Sequence, residues 1–235
     1  MKLSSKQRQI FLITWMSYAG FYLCRKNLSI VLPALHPATG LGGIELANIV
    51  FGYTLFYVIG QFGCGVLSDR FGAKRVVGAG LLLAIGSNLL MSVHVSFLGL
   101  LIFSCLNGVG QSTGWSGLVK TMGIWFKGAH RGVVMAWWGT NYVLGGFVAT
   151  AFATWAVTQH LLLPELGWRR GFLFPALVLM VITAVFLFAL DGNSGKAALR
   201  PEASGAIEPI EAYRSNWTSL VELLRSRSLW AVSIS

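Results

Sequence analysis

The chain has 235 residues, of which 55% are hydrophobic and 11% are charged, and its formal net charge is +10. A soluble globular domain carries about 25% charged residues, so this composition excludes an ordinary soluble domain and indicates an integral membrane protein. The basic residues are scattered between long apolar runs and do not form one polar face, which argues against a nucleic-acid partner.

Six apolar stretches are long enough to cross a bilayer as helices, because about 20 residues rising about 1.5 Å each span its hydrocarbon core. They are residues 10–35, 47–67, 76–94, 96–119, 132–159 and 171–190. The predicted fold class is therefore all-α, a polytopic six-helix bundle over residues 10–190 that follows a short tail at 1–9. Residues 191–227 are polar and contain several glycines and prolines, so we interpret them as a linker. Residues 228–235 turn apolar again and are interpreted as the start of a seventh helix whose remainder the chain lacks.

The orientation of the bundle follows from the distribution of lysine and arginine. These residues concentrate in the N-terminal tail, in the loops after the second and fourth stretches, and in the linker. Basic loops lie on the cytoplasmic side of membrane proteins. The N-terminus and the linker are therefore predicted to be cytoplasmic.

Two adjacent cations, Arg25 and Lys26, lie within the first apolar stretch. A central charge costs about 2.5 to 3.5 kcal/mol on insertion scales, so such residues usually face a protein interior or a water-filled path. At about 100° per residue, Tyr18 and Tyr22 share a stripe with Arg25, whereas Lys26 points about a quarter turn away. A guanidinium binds the oxygens of an anion in a bidentate manner, and tyrosine hydroxyls add donors. We predict a small anionic substrate held by Arg25, Tyr18 and Tyr22, with Lys26 as a further candidate.

The alternative is a structural Arg25 that pairs with a carboxylate on another helix, and a Lys26 whose amine reaches the membrane surface. No Asp or Glu lies inside the six apolar stretches, so this chain offers Arg25 no obvious carboxylate partner. Anion binding is the interpretation that this pattern favours.

No pair of histidines has the spacing of metal ligands, and the three cysteines lie inside apolar runs. The sequence offers no constellation of a nucleophile and a general base, and Ser68 beside Asp69 is interpreted as part of a turn. We therefore expect no enzyme activity, no metal and no cofactor.

The connection between the second and third stretches combines glycines, an acid and several bases. Gly72 permits a tight turn, and the Asp69 carboxylate can accept hydrogen bonds from basic groups at the edge of the bundle. The run 65–75 closely resembles the cytoplasmic loop motif of the major facilitator superfamily. The resemblance implies a transporter fold in which this turn has a gating role. Its motif residues are Gly65, Asp69, Arg70, Gly72, Lys74 and Arg75.

Residues 20–29, 107–115, 120–125 and 168–172 resemble the organophosphate:inorganic phosphate antiporters of that superfamily, a group that includes glycerol-3-phosphate and hexose-phosphate exchangers and related sensors. The resemblance implies the N-terminal six-helix half of a transporter in a bacterial inner membrane. Such a transporter exchanges an organic phosphate for inorganic phosphate by alternating access. The resemblance also implies that Arg25 shares the phosphate with a counterpart arginine of the seventh helix. A C-terminal six-helix half is therefore the expected partner.

Two positions depart from that group. Gln61 stands where several of these antiporters carry a lysine in the second helix, and Asn141 stands where the glycerol-3-phosphate exchangers carry a histidine in the fifth. The site is expected to be less cationic, which weakens a glycerol-3-phosphate assignment and leaves a sugar phosphate open. Gln61, Asn141, Trp115 and Trp138 complete the predicted substrate-binding residues.

Two other functions remain open from the sequence. One is a transporter-like sensor that binds a hexose phosphate without appreciable transport. The other is a carrier of another anion or metabolite in which Arg25 is structural.

Overall fold

The computed structural model describes residues 3–128 and 130–190, and in this part of the chain the secondary structure is helical, with no β-strand. The all-α, six-helix prediction is confirmed. The predicted linker (191–227) and the start of a seventh helix (228–235) lie outside the described residues. The helices are α1 Ser5–Thr39, α2 Gly43–Phe71, α3 Ala73–Val93, α4 Phe97–Trp125, α5 Arg131–Thr158 and α6 Arg170–Ala189, with a short 3-10 helix at Pro164–Arg169 before α6.

Helices α1 and α2 extend beyond the predicted apolar stretches at both ends, because apolar patterns alone do not set where a helix ends. At the start of α1, Ser4 Oγ accepts the backbone N–H of Gln7 at 3.2 Å, and Gln7 Oε1 accepts the backbone N–H of Ser4 at 3.0 Å. This reciprocal pair is a capping box, and it starts the helix before the apolar run. Gly40, with φ of 73°, ends α1 in the left-handed conformation that glycine favours.

Within the described residues, three helical segments are both long and apolar enough to cross a membrane: Gly43–Phe71, Ala73–Val93 and Pro164–Ala189. Helices α1, α4 and α5 are also long, with 35, 29 and 28 residues. Their buried side chains include Asn27, Gln111 and Asn141. Among the described helices, buried polar side chains are most numerous on α4.

Helix α4 packs between α2 and α3, while α1 packs against α5 and α6 and meets α4 at the centre of the bundle. Close approach of α3 and α4 depends on small residues, since a Cβ on Gly110 would lie 2.7 Å from the carbonyl oxygen of Gly80. Asn27 of α1 donates to Asn88 Oδ1 of α3 at 2.7 Å and to the carbonyl of Gly171 in α6 at 3.1 Å. These two hydrogen bonds fix α1 against α3 and α6 and thereby help to position Arg25.

Candidate functional site

Arg25 lies half-buried between α1, α2 and α4. Its Nε donates to Gln111 Oε1 at 3.3 Å, and its Nη1 donates to the Tyr22 hydroxyl at 3.4 Å. The guanidinium carbon lies 4.8 Å from the ring centroids of both Tyr22 and Tyr57. The positive charge is therefore surrounded by one amide and two aromatic faces.

No carboxylate of the described residues forms an ion pair with Arg25. Within this part of the chain, the ion pair joins Lys120 to Asp69. Arg25 Nη2 is buried and has no hydrogen-bond partner. The buried hydroxyl of Tyr53 likewise has no hydrogen-bond partner among the described residues. A buried guanidinium edge without an acceptor is costly, so this edge is suited to an anion.

Aromatic side chains of three helices form a wall next to Arg25. The Tyr18 ring lies 5.8 Å from that of Tyr22, 5.5 Å from Trp115 of α4 and 5.6 Å from Trp138 of α5, measured between centroids. Tyr18, Tyr22 and Trp138 are buried, whereas Trp115 is 44% exposed. Trp138 Nε1 donates to Thr14 Oγ1 at 3.1 Å, so its indole N–H is already used within the bundle. Trp138 therefore supports the wall, and Trp115 presents the accessible ring.

Helix α4 holds the guanidinium through a fixed amide. Gln111 is fully buried, and its Nε2 donates to the carbonyl of Phe21 on α1 at 3.0 Å. Because the amide nitrogen is bound in this way, the amide oxygen faces Arg25. One turn earlier, Asn107 Nδ2 donates to the carbonyl of Cys24 at 2.8 Å. The two amides attach α4 to α1 on either side of the arginine.

Helix α2 contributes residues that the sequence analysis did not select. Tyr57 covers the Arg25 guanidinium. Its hydroxyl accepts a hydrogen bond at 2.6 Å from Nε2 of Gln61, which was predicted from the sequence. Tyr53 stacks on Tyr57 with 6.2 Å between centroids. Tyr53, Tyr57 and Gln61 are four residues apart along one helical face, and that spacing is the signal that could have identified them.

Asn141 is fully buried on the inward stripe of α5, and neither its amide oxygen nor its amide nitrogen has a hydrogen-bond partner. Its neighbours on that stripe are Trp138, which contacts Tyr18, and Gly145, which packs against Ala19. An unsatisfied buried amide is uncommon in proteins. The pattern favours a ligand or a water molecule at this position.

Lys26 faces a different neighbour from Arg25. Its side chain is exposed and runs along α5, where a Cβ on Gly146 would lie 3.9 Å from Lys26 Cε. The two adjacent cations therefore diverge, as their separation around the helix predicts.

The predicted gating motif forms a second, separate cluster at the α2–α3 turn. Gly72 makes this turn with φ of 86°, and Arg70 lies over the Phe71 ring at 5.4 Å from its centroid. Asp69 forms an ion pair with Lys120 of α4, whose Nζ also donates to the carbonyl of Ser68 at 3.3 Å. The ion pair attaches the turn to α4. The remaining motif residues lie at the end of α2 and the start of α3: Gly65, Lys74 and Arg75.

Curated relatives resemble the chain over most of its length. It is 28% identical to the "Glycerol-3-phosphate transporter" of Bacillus subtilis over 217 residues, covering 89% of this chain and 45% of that protein. It is 25% identical to the human "Glucose-6-phosphate exchanger SLC37A2", covering 86% of this chain and 45% of the exchanger. It is 27% identical to the "Membrane sensor protein UhpC" of Escherichia coli, covering 77% of this chain and 40% of the sensor. The chain thus spans less than half the length of these relatives.

A solved structure shares the fold. It is the crystal structure of a bacterial homologue of the human lysosomal transporter Spinster, in an inward-facing and unoccupied conformation. The TM-score is 0.76 at 11% sequence identity, and the match covers 99% of this chain and 52% of that one. The family model of the Major Facilitator Superfamily matches residues 10–235. The chain is a multi-pass membrane protein that belongs to the Major Facilitator Superfamily.

Proposed function

We propose that the chain forms the N-terminal half of a transporter that exchanges an organic phosphate for inorganic phosphate by alternating access. The observation that carries this proposal is the buried guanidinium of Arg25, which has no carboxylate partner among the described residues and whose Nη2 is unpaired. The names of the relatives, a glycerol-3-phosphate transporter and a glucose-6-phosphate exchanger, support the same substrate class.

The donors around Arg25 suit a phosphate. Tyr22 accepts a hydrogen bond from Arg25, and Tyr57 accepts one from Gln61, so both hydroxyl protons are available to donate to an anion. Phosphate oxygens would receive the guanidinium edge and these hydroxyls together. Substrate and product both carry the phosphate group, which allows one site to bind either in turn.

Trp115 and Asn141 are proposed to contact the organic part of the substrate. The half-exposed Trp115 ring provides an apolar surface, and the unpaired amide of Asn141 can both donate to and accept from a hydroxyl. Glycerol phosphate and sugar phosphates both offer such hydroxyls. Uncharged Gln61 and Asn141 leave Arg25 and the diverging Lys26 as the cations of this half of the site.

The rest of the transporter is proposed from the relatives and from the charge distribution. Since each relative is more than twice as long as the matched segment, a second six-helix half with its own arginine is proposed to complete the site. Residues 191–227 are proposed as the linker and 228–235 as the start of helix seven. A bacterial inner membrane, with the N-terminus and the Asp69 turn in the cytoplasm, fits the positions of the basic residues.

The proposal is tested by exchange in vesicles that contain the complete protein. Vesicles are loaded with radiolabelled phosphate, and glucose 6-phosphate, glycerol 3-phosphate, inorganic phosphate or sulfate is added outside. Release driven by a phosphate ester but not by sulfate supports the antiporter. Saturable binding of a phosphate ester without any release would instead indicate a sensor, and the absence of both binding and release would overturn the substrate class.

A further inference from the structure

The connection between α5 and the short 3-10 helix carries three adjacent exposed leucines. The exposed fractions of Leu161, Leu162 and Leu163 are 94%, 54% and 55%, and we name these residues the leucine tip. Contiguous apolar surface in a loop is unfavourable in water and marks a site of interaction. None of these residues belongs to the proposed transport site.

Two polar side chains bind the backbone of the leucine tip. Gln159 Oε1 accepts the N–H of Leu161 at 2.9 Å and that of Leu162 at 2.8 Å, and Gln159 Nε2 donates to the Leu162 carbonyl at 2.8 Å. The same carbonyl accepts from Nη1 of the buried Arg170 at 3.2 Å. Water can satisfy the backbone of an ordinary loop, whereas a backbone that enters the apolar layer of a bilayer must be satisfied by the protein itself.

Two further backbone positions of this connection need no water. The Leu163 carbonyl accepts the N–H of Leu166 at 3.1 Å, and Pro164 has no N–H to satisfy. Leu163 has φ of 48° and is the one non-glycine residue of the described chain in the left-handed region. Such a conformation persists where its surroundings hold it in place. The fold maintains this turn with all three leucine side chains at the surface.

The position of the tip indicates its partner. Trp155, near the end of α5, is 46% exposed and packs against Phe174 of α6, with 6.1 Å between ring centroids. Exposed tryptophans near helix ends are typical of the boundary between lipid and water. At about 100° per residue, Trp155 lies about 220° around α5 from Tyr142, which contacts Tyr22 of the site. The tip thus adjoins the outer α5–α6 surface, and residues 159–164 contain no Asp, Glu, Lys or Arg.

We infer that the leucine tip is a lipid anchor that inserts into the boundary between headgroups and acyl chains where α5 ends. Gln159 and Arg170 satisfy the N–H groups of Leu161 and Leu162 and the Leu162 carbonyl, so these backbone groups need no water. The anchor fixes the α5–α6 connection relative to the bilayer. The inference does not depend on which substrate the protein carries.

The test measures the depth of a spin label in the bilayer. Leu161→Cys is labelled in protein whose Cys24, Cys64 and Cys105 are replaced by alanine, and the protein is reconstituted in phosphatidylcholine and phosphatidylglycerol. Collision rates are measured with oxygen, which concentrates in hydrocarbon, and with a water-soluble nickel chelate. Glu165→Cys, at an exposed residue beyond the tip, is the matched control.

At Leu161→Cys we expect an oxygen-to-nickel collision ratio several-fold above that of the control, and Leu162→Cys should give the same result. A ratio equal to the control would place the tip in water and overturn the anchor. Low collision rates with both reagents and an immobilised label would show a protein contact, such as a second bundle, and would also overturn it. Adding Gln159→Ala to Leu161→Cys should lower the ratio, because the N–H groups of Leu161 and Leu162 lose their acceptor. An unchanged ratio would contradict the role of Gln159 in satisfying the backbone of the tip.

Discussion

Gln111 on α4 presents its amide oxygen to Arg25 Nε at 3.3 Å while its amide nitrogen is bound to the carbonyl of Phe21 at 3.0 Å. The arginine is thereby oriented by a neutral group, and its charge is left for a ligand. A carboxylate in the same place would also accept from the guanidinium, but it would neutralise the charge and could not donate to the Phe21 carbonyl. This difference is the basis of the first prediction.

Gln111→Glu should reduce phosphate affinity by at least about tenfold, because an ion pair with Arg25 would replace the charge-assisted hydrogen bonds to the ligand, about 1.5 to 3 kcal/mol. Titration calorimetry with inorganic phosphate measures the affinity. Gln111→Met, which keeps the size but adds no charge, is the control and should lose less. Equal affinities for Gln111→Glu and wild type would contradict the role of Arg25 as an uncompensated cation.

Asn141→Leu should stabilise the protein by about 1 to 3 kcal/mol, since it removes a buried amide that has no partner, and should weaken binding of a phosphate ester. Thermal unfolding in detergent and equilibrium binding measure the two effects. Asn27→Leu provides the contrast, because the Asn27 amide nitrogen donates to Asn88 Oδ1 and to the Gly171 carbonyl and the loss of these two bonds should destabilise the protein. A destabilised Asn141→Leu would show that the amide is satisfied within the fold.

Gln61→Lys should raise affinity for a dianionic phosphate and make binding more sensitive to salt, because it adds a second cation next to Tyr57 and Arg25. Phosphate affinity measured at low and high ionic strength reports both changes. Gln61→Met, which loses the hydrogen bond to Tyr57 but adds no charge, should show no increase at either ionic strength. If Gln61→Lys also showed none, residue 61 would lie outside the electrostatic reach of the ligand.

The Asp69–Lys120 ion pair should contribute little to stability. The side chains are 55% and 37% exposed, and exposed pairs contribute about 0 to 1 kcal/mol. A double-mutant cycle with Asp69→Asn and Lys120→Gln, followed by thermal unfolding, should give a coupling energy in that range. The same variants should slow phosphate exchange, because the pair attaches the α2–α3 turn to α4. Exchange rates equal to wild type in both Asp69→Asn and Lys120→Gln would contradict a gating role for the ion pair.

The arrangement on α1 could be predicted from the sequence because it depends on helical periodicity alone. Arg25, Tyr18 and Tyr22 share a stripe, and the structure brings their side chains together. The six helices could also be predicted, since apolar length reports on membrane crossing. The capped ends could not be placed from apolar length, because Ser4 and Gly40 act through local backbone geometry.

Helical spacing alone could not predict which side chains of other helices contact Arg25, because the register between helices is set by packing. Tyr57 reaches Arg25 from α2, and Gln111 reaches it from α4, 86 residues along the chain. No spacing in a single helix shows that these side chains meet. Trp138 was predicted to bind substrate, but its indole N–H donates to Thr14 of α1. This contact between distant parts of the sequence could not be seen from spacing either.

The most direct test of the account compares two neighbouring cations that point to different helices. Equilibrium binding of inorganic phosphate is measured for the complete protein and for Arg25→Gln and Lys26→Gln, which remove the same charge one residue apart. We expect Arg25→Gln to lower phosphate affinity by at least about a hundredfold, because it removes two buried charge-assisted hydrogen bonds of about 1.5 to 3 kcal/mol each. Lys26→Gln should have a smaller effect. Unchanged phosphate affinity in Arg25→Gln, or a larger loss in Lys26→Gln, would contradict the role of Arg25 as the main phosphate ligand.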